Sequence, residues 1–406
     1  MTGLAHWRQF LSENAPWLSA GAILTLLSSF GQTYFISIFA AEIQRDFALS
    51  HGEWGGIYSL GTTVSAAVML WAGALTDRYR ARTLGQVVLV ALAASCLFMA
   101  FNPYVALLPV VVFCLRLTGQ GMASHIAIVA MTRWFVATRG RALAIATLGF
   151  ALGEALFPLV FVALLGVFDW RILWGVAAGL ALFGVPLLTR FLRHERTPAS
   201  LLETTSTVGM AQRHWTRIEA MRHPLFWFMV PALLGPSAFN TAFFFHQVHF
   251  AEIKEISHLS LVALFPVYTG VGIAAMIAAG LALDRFGTAR LIPYYQLPMV
   301  AAFVIFAATT SVWGIVFGFV ALALTTGGNT TLPNAFWAEF YGTAHLGSIK
   351  AMATAVMVLG SAIGPGITGV LIDFGVGLDQ QYYGVAGYFL VASLSMYLGI
   401  RRYRAA

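Results

Sequence analysis

An all-α membrane protein, with twelve transmembrane helices in two pseudo-twofold-related six-helix bundles, is the fold class the sequence predicts. Three observations carry that reading: the composition, the number of apolar stretches long enough to cross a bilayer, and a repeat relating the two halves of the chain. Of the 406 residues, 59% are hydrophobic and only 10% charged, and the mean hydropathy is +0.80. A soluble chain carries roughly a quarter charged residues, so this one cannot cover itself with polar surface, and lipid must be its solvent. The same figures exclude disorder. Cys96 and Cys114 both sit inside apolar runs, which excludes a disulfide framework and a cysteine-based metal cage. The formal charge of +7 is mostly Arg placed between apolar runs, where it orients the chain in a bilayer and does not point to nucleic acid. Arg8, Glu13 and Pro16 interrupt the first sixteen residues, so no cleavable signal peptide is expected.

Twelve stretches of about the spanning length follow in order: 17–40, 52–75, 84–101, 104–131, 142–166, 171–190, 224–248, 259–283, 291–309, 312–337, 347–371 and 383–400. With the N-terminus inside, the cytoplasmic segments hold 18 of the basic residues, among them Arg78, Arg133, Arg285 and Arg401. The outside loops hold three: Arg45, Arg171 and Lys254. That excess puts both termini in the cytoplasm and the chain in the cytoplasmic membrane. Nine of the eleven tryptophans lie near span ends, where an indole anchors at headgroup level. The domains expected are an N-terminal bundle at 1–190, a cytoplasmic linker at 191–222 and a C-terminal bundle at 223–406. The linker is marked by Arg190, Arg193, Glu195, Arg196, Pro198 and a Thr/Ser cluster.

The halves are copies. Gly73-Ala74-Leu75-Thr76-Asp77-Arg78-Tyr79 recurs as Gly280-Leu281-Ala282-Leu283-Asp284-Arg285-Phe286, an offset of 207 that also maps Gly140 to Gly347, Gly153 to Gly360 and Pro158 to Pro365. Parallel six-helix repeats suit a site near mid-membrane with alternating access. Gly73, Gly153, Gly280 and Gly360 are expected to serve close helix packing.

These residues carry a family resemblance. Gly73-x-Leu75-x-Asp77-Arg78-Tyr79-Arg80-Ala81-Arg82 resembles the signature loop between helices 2 and 3 of the major facilitator superfamily, and Arg116-x-x-Gly119-Gln120-Gly121 resembles its fourth-helix motif. Tyr341-Gly342-x-x-x-Leu346-Gly347-Ser348-Ile349 is similar to the monocarboxylate and oxalate/formate branch, although residues 259–283 lack the charge that branch carries there. The resemblance implies that Asp77 faces the start of span 11, with Arg133 as partner. It likewise implies that Asp284 faces span 5; the gating candidates are Asp77, Arg78, Arg133, Asp284, Arg285 and Lys350. The competing readings are that the Asp-Arg loops only enforce topology, and that Lys350 snorkels to the interface or contacts the substrate directly.

An ionisable residue at mid-membrane marks function by default. Arg116 and Glu154 fall about halfway along spans 4 and 5, and two readings stand for them. They pair to hold the bundle rigid, or they bind an anion and couple to protons. The candidate substrate-binding residues are Arg116, Gln120, Gln32, Tyr34, Asn240, His246, Asn329 and Thr325. They lie on spans 1, 4, 7 and 10, which the resemblance implies line the cavity, and interhelical hydrogen bonding is the alternative for each. His246 and His249 are read as outer-gate residues, with no metal-ligand spacing.

The function expected is a secondary active transporter of a small, monocarboxylate-like organic anion, with protons as the candidate coupling ion. The alternative is a proton-driven exporter of hydrophobic or cationic compounds. No nucleophile and base, cofactor motif, metal set or nucleotide-binding loop stands out, which argues against an enzyme and against direct ATP drive. The expected partners are the solute, protons and lipid; no cofactor and no nucleic acid is expected, and the chain is expected to act as a monomer.

Overall fold

The computed structural model describes residues 3–135, 138–194 and 208–403. Glu195, Arg196 and Pro198 of the expected linker, and Arg404, lie outside the described residues. Among the described residues there are helices, turns and no strand. In chain order the principal helices are α1 (Gly3–Leu27), α2 (His51–Ala72), α3 (Ala81–Phe101), α4 (Val105–Trp134), α5 (Arg139–Leu165), α6 (Trp170–Phe191), α7 (Pro224–Phe245), α8 (Phe265–Phe286), α9 (Leu297–Ala308), α10 (Val312–Tyr341), α11 (Leu346–Asp373) and α12 (Leu378–Tyr403). Ten stretches of the described chain are long and apolar enough to span. A pair bent by 49°, Trp7–Gly31 with Thr33–Phe47, makes eleven, and α9 is a shorter apolar helix in the expected twelfth place. The ninth span is short because Ile292–Gln296 forms turns ahead of it.

The chain divides into two compact units. One comprises Met1–Ala48 with Leu60–Glu203; the other comprises Leu49–Ser59 with Thr204–Ala406. In the first unit α3 packs along α6 and α1 along α5. Its aromatic core joins Phe35 to Phe161 at 4.8 Å and to Trp174 at 5.4 Å between ring centroids. In the second unit α8 packs along α10, and α9 packs along both α10 and α12. There Phe243 stacks on Phe306 at 4.7 Å, and Phe303 on Phe389 at 6.0 Å.

Small residues set the closest approaches. A Cβ at Gly119 would lie 2.6 Å from Gly31 Cα, so the backbones of α4 and of the segment after α1 touch where no side chain fits. Gly360 holds the same kind of position against the Leu234 carbonyl, 2.7 Å from where its Cβ would be, and Gly153 packs against the Ser29 hydroxyl. A Cβ at Gly73 would lie 3.1 Å from the Met69 carbonyl oxygen and 3.4 Å from the His125 ring. Gly280 departs from the expectation. Among the described residues nothing comes within 4 Å of its Cβ position, so no close helix contact is seen there.

The breaks in the helices have identifiable causes. Within α7, Pro236 begins a π-helical segment, Pro236–Asn240. Proline lacks the N–H that the Ala232 carbonyl would receive in an unbroken helix. Gln296, fully buried, donates to that carbonyl instead, at 2.6 Å. A freed carbonyl at membrane depth needs such a partner, because lipid offers none. The break after α1, Ser28–Gly31 with Gln32 in extended conformation, occupies the equivalent place in the first half. Ser28 and Ser29 are completely buried there.

Candidate functional site

In the first unit the break after α1 is the centre of the polar chemistry. Arg116 opens a π-helical segment of α4, Arg116–Ala123, a geometry found often at functional sites. Its side chain is 1% exposed. Its Nη1 donates to the Gly31 carbonyl at 3.2 Å and to the Thr33 hydroxyl at 3.3 Å. The Gly31–Gly119 contact brings the guanidinium to the break, because α4 approaches it there without an intervening side chain. Tyr34 is buried and donates its hydroxyl to Ser29 Oγ at 2.9 Å. Glu154 lies close enough to Tyr34 to act on it electrostatically. Gln32 is buried in the same break. The structure therefore gathers Arg116, Tyr34, Gln32 and Glu154, all named from the sequence, around one irregular segment. Gln120, also named, is exposed.

The second unit supplies neutral polar groups. At the repeat offset Arg116 corresponds to Ala323 and Glu154 to Ser361, so the central charges exist in one half only. Thr325 is fully buried and donates to the Tyr295 carbonyl at 3.3 Å. Asn329 Oδ1 accepts from the Tyr295 hydroxyl at 3.1 Å, and that hydroxyl in turn accepts from Gln296 at 2.8 Å. Thr325 and Asn329 thus belong to a network joining α10 to the start of α9 and, through Gln296, to α7. The sequence reading missed Tyr295 and Gln296; the proline four residues beyond Ala232 was the signal that a side chain must replace a backbone donor. Asn240 differs from these. It ends the π segment of α7, and its Oδ1 is buried with no hydrogen-bond partner among the described residues, an acceptor left for a donor that the protein does not provide.

His246, 3% exposed, donates Nε2–H to the Pro365 carbonyl at 3.0 Å, since a carbonyl can only accept. It is anchored, and it has neighbours. The His51 ring lies 6.1 Å from that of His246 and 4.4 Å from that of His249. His249 pairs with Glu252 at 3.6 Å. Asp373 accepts from Ser50 Oγ at 2.7 Å and from Gly52 N–H at 2.8 Å. His51 and Asp373 escaped the sequence reading because they lie far from His246 along the chain. Among the described residues no group of three His, Cys, Asp or Glu side chains is placed to hold a metal ion.

Of the residues named as gates, Asp77 and Arg133 form an ion pair within the first unit, and Arg133 also donates to the Thr76 carbonyl at 2.7 Å. Arg78, Asp284 and Arg285 are exposed, and Lys350 is half-buried in the second turn of α11. The second half does not copy the pair. Phe340 stands where the offset places the equivalent of Arg133, and it stacks on Phe336 at 4.6 Å. The neighbouring Glu339 accepts from the Thr288 N–H at 3.3 Å. On the linker, Thr216 and Glu219 form a capping box, and the hydrogen bonds from Thr216 hold the Glu219 carboxyl below the usual range.

Duplicated helical units with broken helices at matching positions, and with polar side chains gathered at a break, define a membrane-embedded solute carrier. The sequence matches the family model of the Major Facilitator Superfamily over residues 21–365, and the chain belongs to that family. It is a transporter and not an enzyme. Among solved structures it resembles an inward-facing, unoccupied bacterial homolog of the human lysosomal transporter Spinster, with TM-score 0.72 and 15% identity over 97% of this chain and 98% of that one. It also resembles the nucleoside transporter NupG, with TM-score 0.72 and 12% identity over 95% and 99%. At these identities the likeness concerns the fold. No curated protein matches the sequence.

Proposed function

We propose that this chain is a secondary active transporter of a small, monocarboxylate-like organic anion, working in the cytoplasmic membrane with both termini inside, by rocker-switch alternating access coupled to protons. The observation that carries this reading is Arg116. A guanidinium 1% exposed in a helix that spans the bilayer is costly to keep, and it lies at a helix break, beside a carbonyl and a hydroxyl that a substrate carboxylate can replace. A planar fork of donors suits a carboxylate in particular. Glu154 supplies the group that takes up and releases the proton, and Tyr34, Gln32 and Asn240 supply neutral contacts. The asymmetry of basic residues supports the orientation. Export of hydrophobic or cationic compounds has less support, because residues 15–39 carry no carboxylate.

In proteoliposomes, an inward proton gradient is expected to drive saturable accumulation of a lactate-like monocarboxylate, with a dicarboxylate slower and a lipophilic cation not carried. Accumulation of the cation with no anion uptake would replace this reading by the exporter. The Asp77–Arg133 pair is proposed to act in gating. Both side chains are well exposed, at 63% and 40%, so Asp77→Asn is expected to change stability by less than about 1 kcal/mol. Its transport rate should nonetheless fall several-fold, read as initial uptake against melting temperature on the same sample. Unchanged uptake assigns the pair to topology alone.

A further inference from the structure

At the end of the second unit where the chain finishes, the segment just ahead of α9 and the last turns of α12 line a groove of about 690 Å³ that the transport reading does not use. Its floor is apolar, made by Pro293 and Ile400. Its rim carries Arg290, on the short helix Thr288–Leu291, and Arg401, in the last turn of α12, together with Tyr294 and Tyr397. Both guanidiniums and both tyrosines are exposed, and among the described residues no acidic one lines the groove. Glu339 of α10 accepts from the N–H of Thr288, on the same short helix as Arg290. Two cations and two phenol donors therefore line one opening that, among the described residues, no acidic side chain lines.

We infer that this groove binds the headgroup of an anionic phospholipid. Phosphate accepts hydrogen bonds bidentately from guanidinium, and phenols complete its shell. Basic pockets between transmembrane helices recruit acidic lipids on the same grounds. The lipid is favoured over free phosphate by what continues from the groove. Leu297, Ala301 and Val304 follow Tyr294 along one exposed stripe of α9. Leu394 and Leu390 follow Tyr397 along an exposed stripe of α12, against which α9 packs. A phosphate held at the arginines has its acyl chains laid on these two stripes, whereas a free phosphate uses none of them.

The protein, delipidated in a neutral detergent, is titrated with phosphatidylglycerol and, separately, with phosphatidylcholine in mixed micelles. Melting temperature and lipid retained in native mass spectrometry are the readouts. Phosphatidylglycerol is expected to stabilise and to be retained at about tenfold lower concentration than phosphatidylcholine. Arg290→Gln with Arg401→Gln, which keeps the stems, should erase that preference, while Arg222→Gln with Arg402→Gln removes equal charge elsewhere and should preserve it. Inorganic phosphate in the millimolar range should leave the lipid in place. An undiminished preference in the Arg290/Arg401 variant overturns the inference, as does an equal loss in the Arg222/Arg402 variant. Displacement by inorganic phosphate makes the groove a site for a soluble anion instead. If the Arg290/Arg401 variant does not purify, Tyr294→Phe with Tyr397→Phe is read in its place, and must weaken retention several-fold.

Discussion

Uptake of a carboxylate substrate is expected to fall about a hundredfold or more in Arg116→Ala, while the protein still folds. A hydrogen bond to a charged group contributes about 1.5–3 kcal/mol, and a guanidinium facing a carboxylate makes two of them, so the loss of binding alone covers that factor. The ground state loses something as well, because the Gly31 carbonyl and the Thr33 hydroxyl lose their donor. Those acceptors are not charged, and their loss is expected to cost about 1–2 kcal/mol of stability. Arg116→Lys separates the two contributions. An ammonium keeps the charge but presents a compact point in place of a planar fork, so uptake should fall about tenfold with little change in melting temperature. Initial uptake rates in proteoliposomes, read beside thermal stability in detergent, decide the matter. Uptake that survives Arg116→Ala unchanged removes the residue from the site. A loss of uptake that merely tracks a loss of folded protein makes Arg116 a structural tie between α4 and the break after α1.

What could be read from the chain, and what could not, follows from how far each signal travels. The twelve apolar stretches, the duplication and the family were legible because spanning length and the Asp77/Asp284 repeat are local patterns. The prominence of Arg116 was legible because charge inside an apolar run is conspicuous. The kinks were not. Ser28–Gln32 contains no proline, and its irregularity depends on the glycine contact with Gly119, more than eighty residues away. Thr325 and Asn329 carried two readings, binding residues or interhelical hydrogen bonders, and the sequence could not show the partner: both meet Tyr295, thirty and thirty-four residues away just ahead of α9. The repeat misleads in the same way at Phe340, since the offset preserves Asp284 without the arginine that Asp77 has.

Lys254 gives the sharpest case and the second large effect. From sequence it falls in an outside loop, a place where lysine is ordinarily solvated. In the structure it caps the helix Gln247–Ile253, is 2% exposed, donates to Asp379 at 2.7 Å and to the Ala307 carbonyl at 3.3 Å, and lies 5.9 Å from the centre of the Phe250 ring. It ties the end of α9 and the start of α12 to the segment beyond α7. The pair is unequal, because the Asp379 side chain is 49% exposed where that of Lys254 is 1%. Removing the aspartate strands an ammonium inside the protein with one carbonyl for company, whereas removing the lysine leaves a carboxylate that water can still reach. Asp379→Ala is therefore expected to cost about 3 kcal/mol, and Lys254→Met roughly half of that, since the methionine fills the stem's place among aromatic neighbours. The double variant Lys254→Met/Asp379→Ala should recover most of the loss of Asp379→Ala, which a double-mutant cycle on thermal stability reads directly. Equal costs for the two single changes, with no recovery in the double, would mean that the attraction between the charges holds these ends together, and that the burial of the lysine is incidental to it.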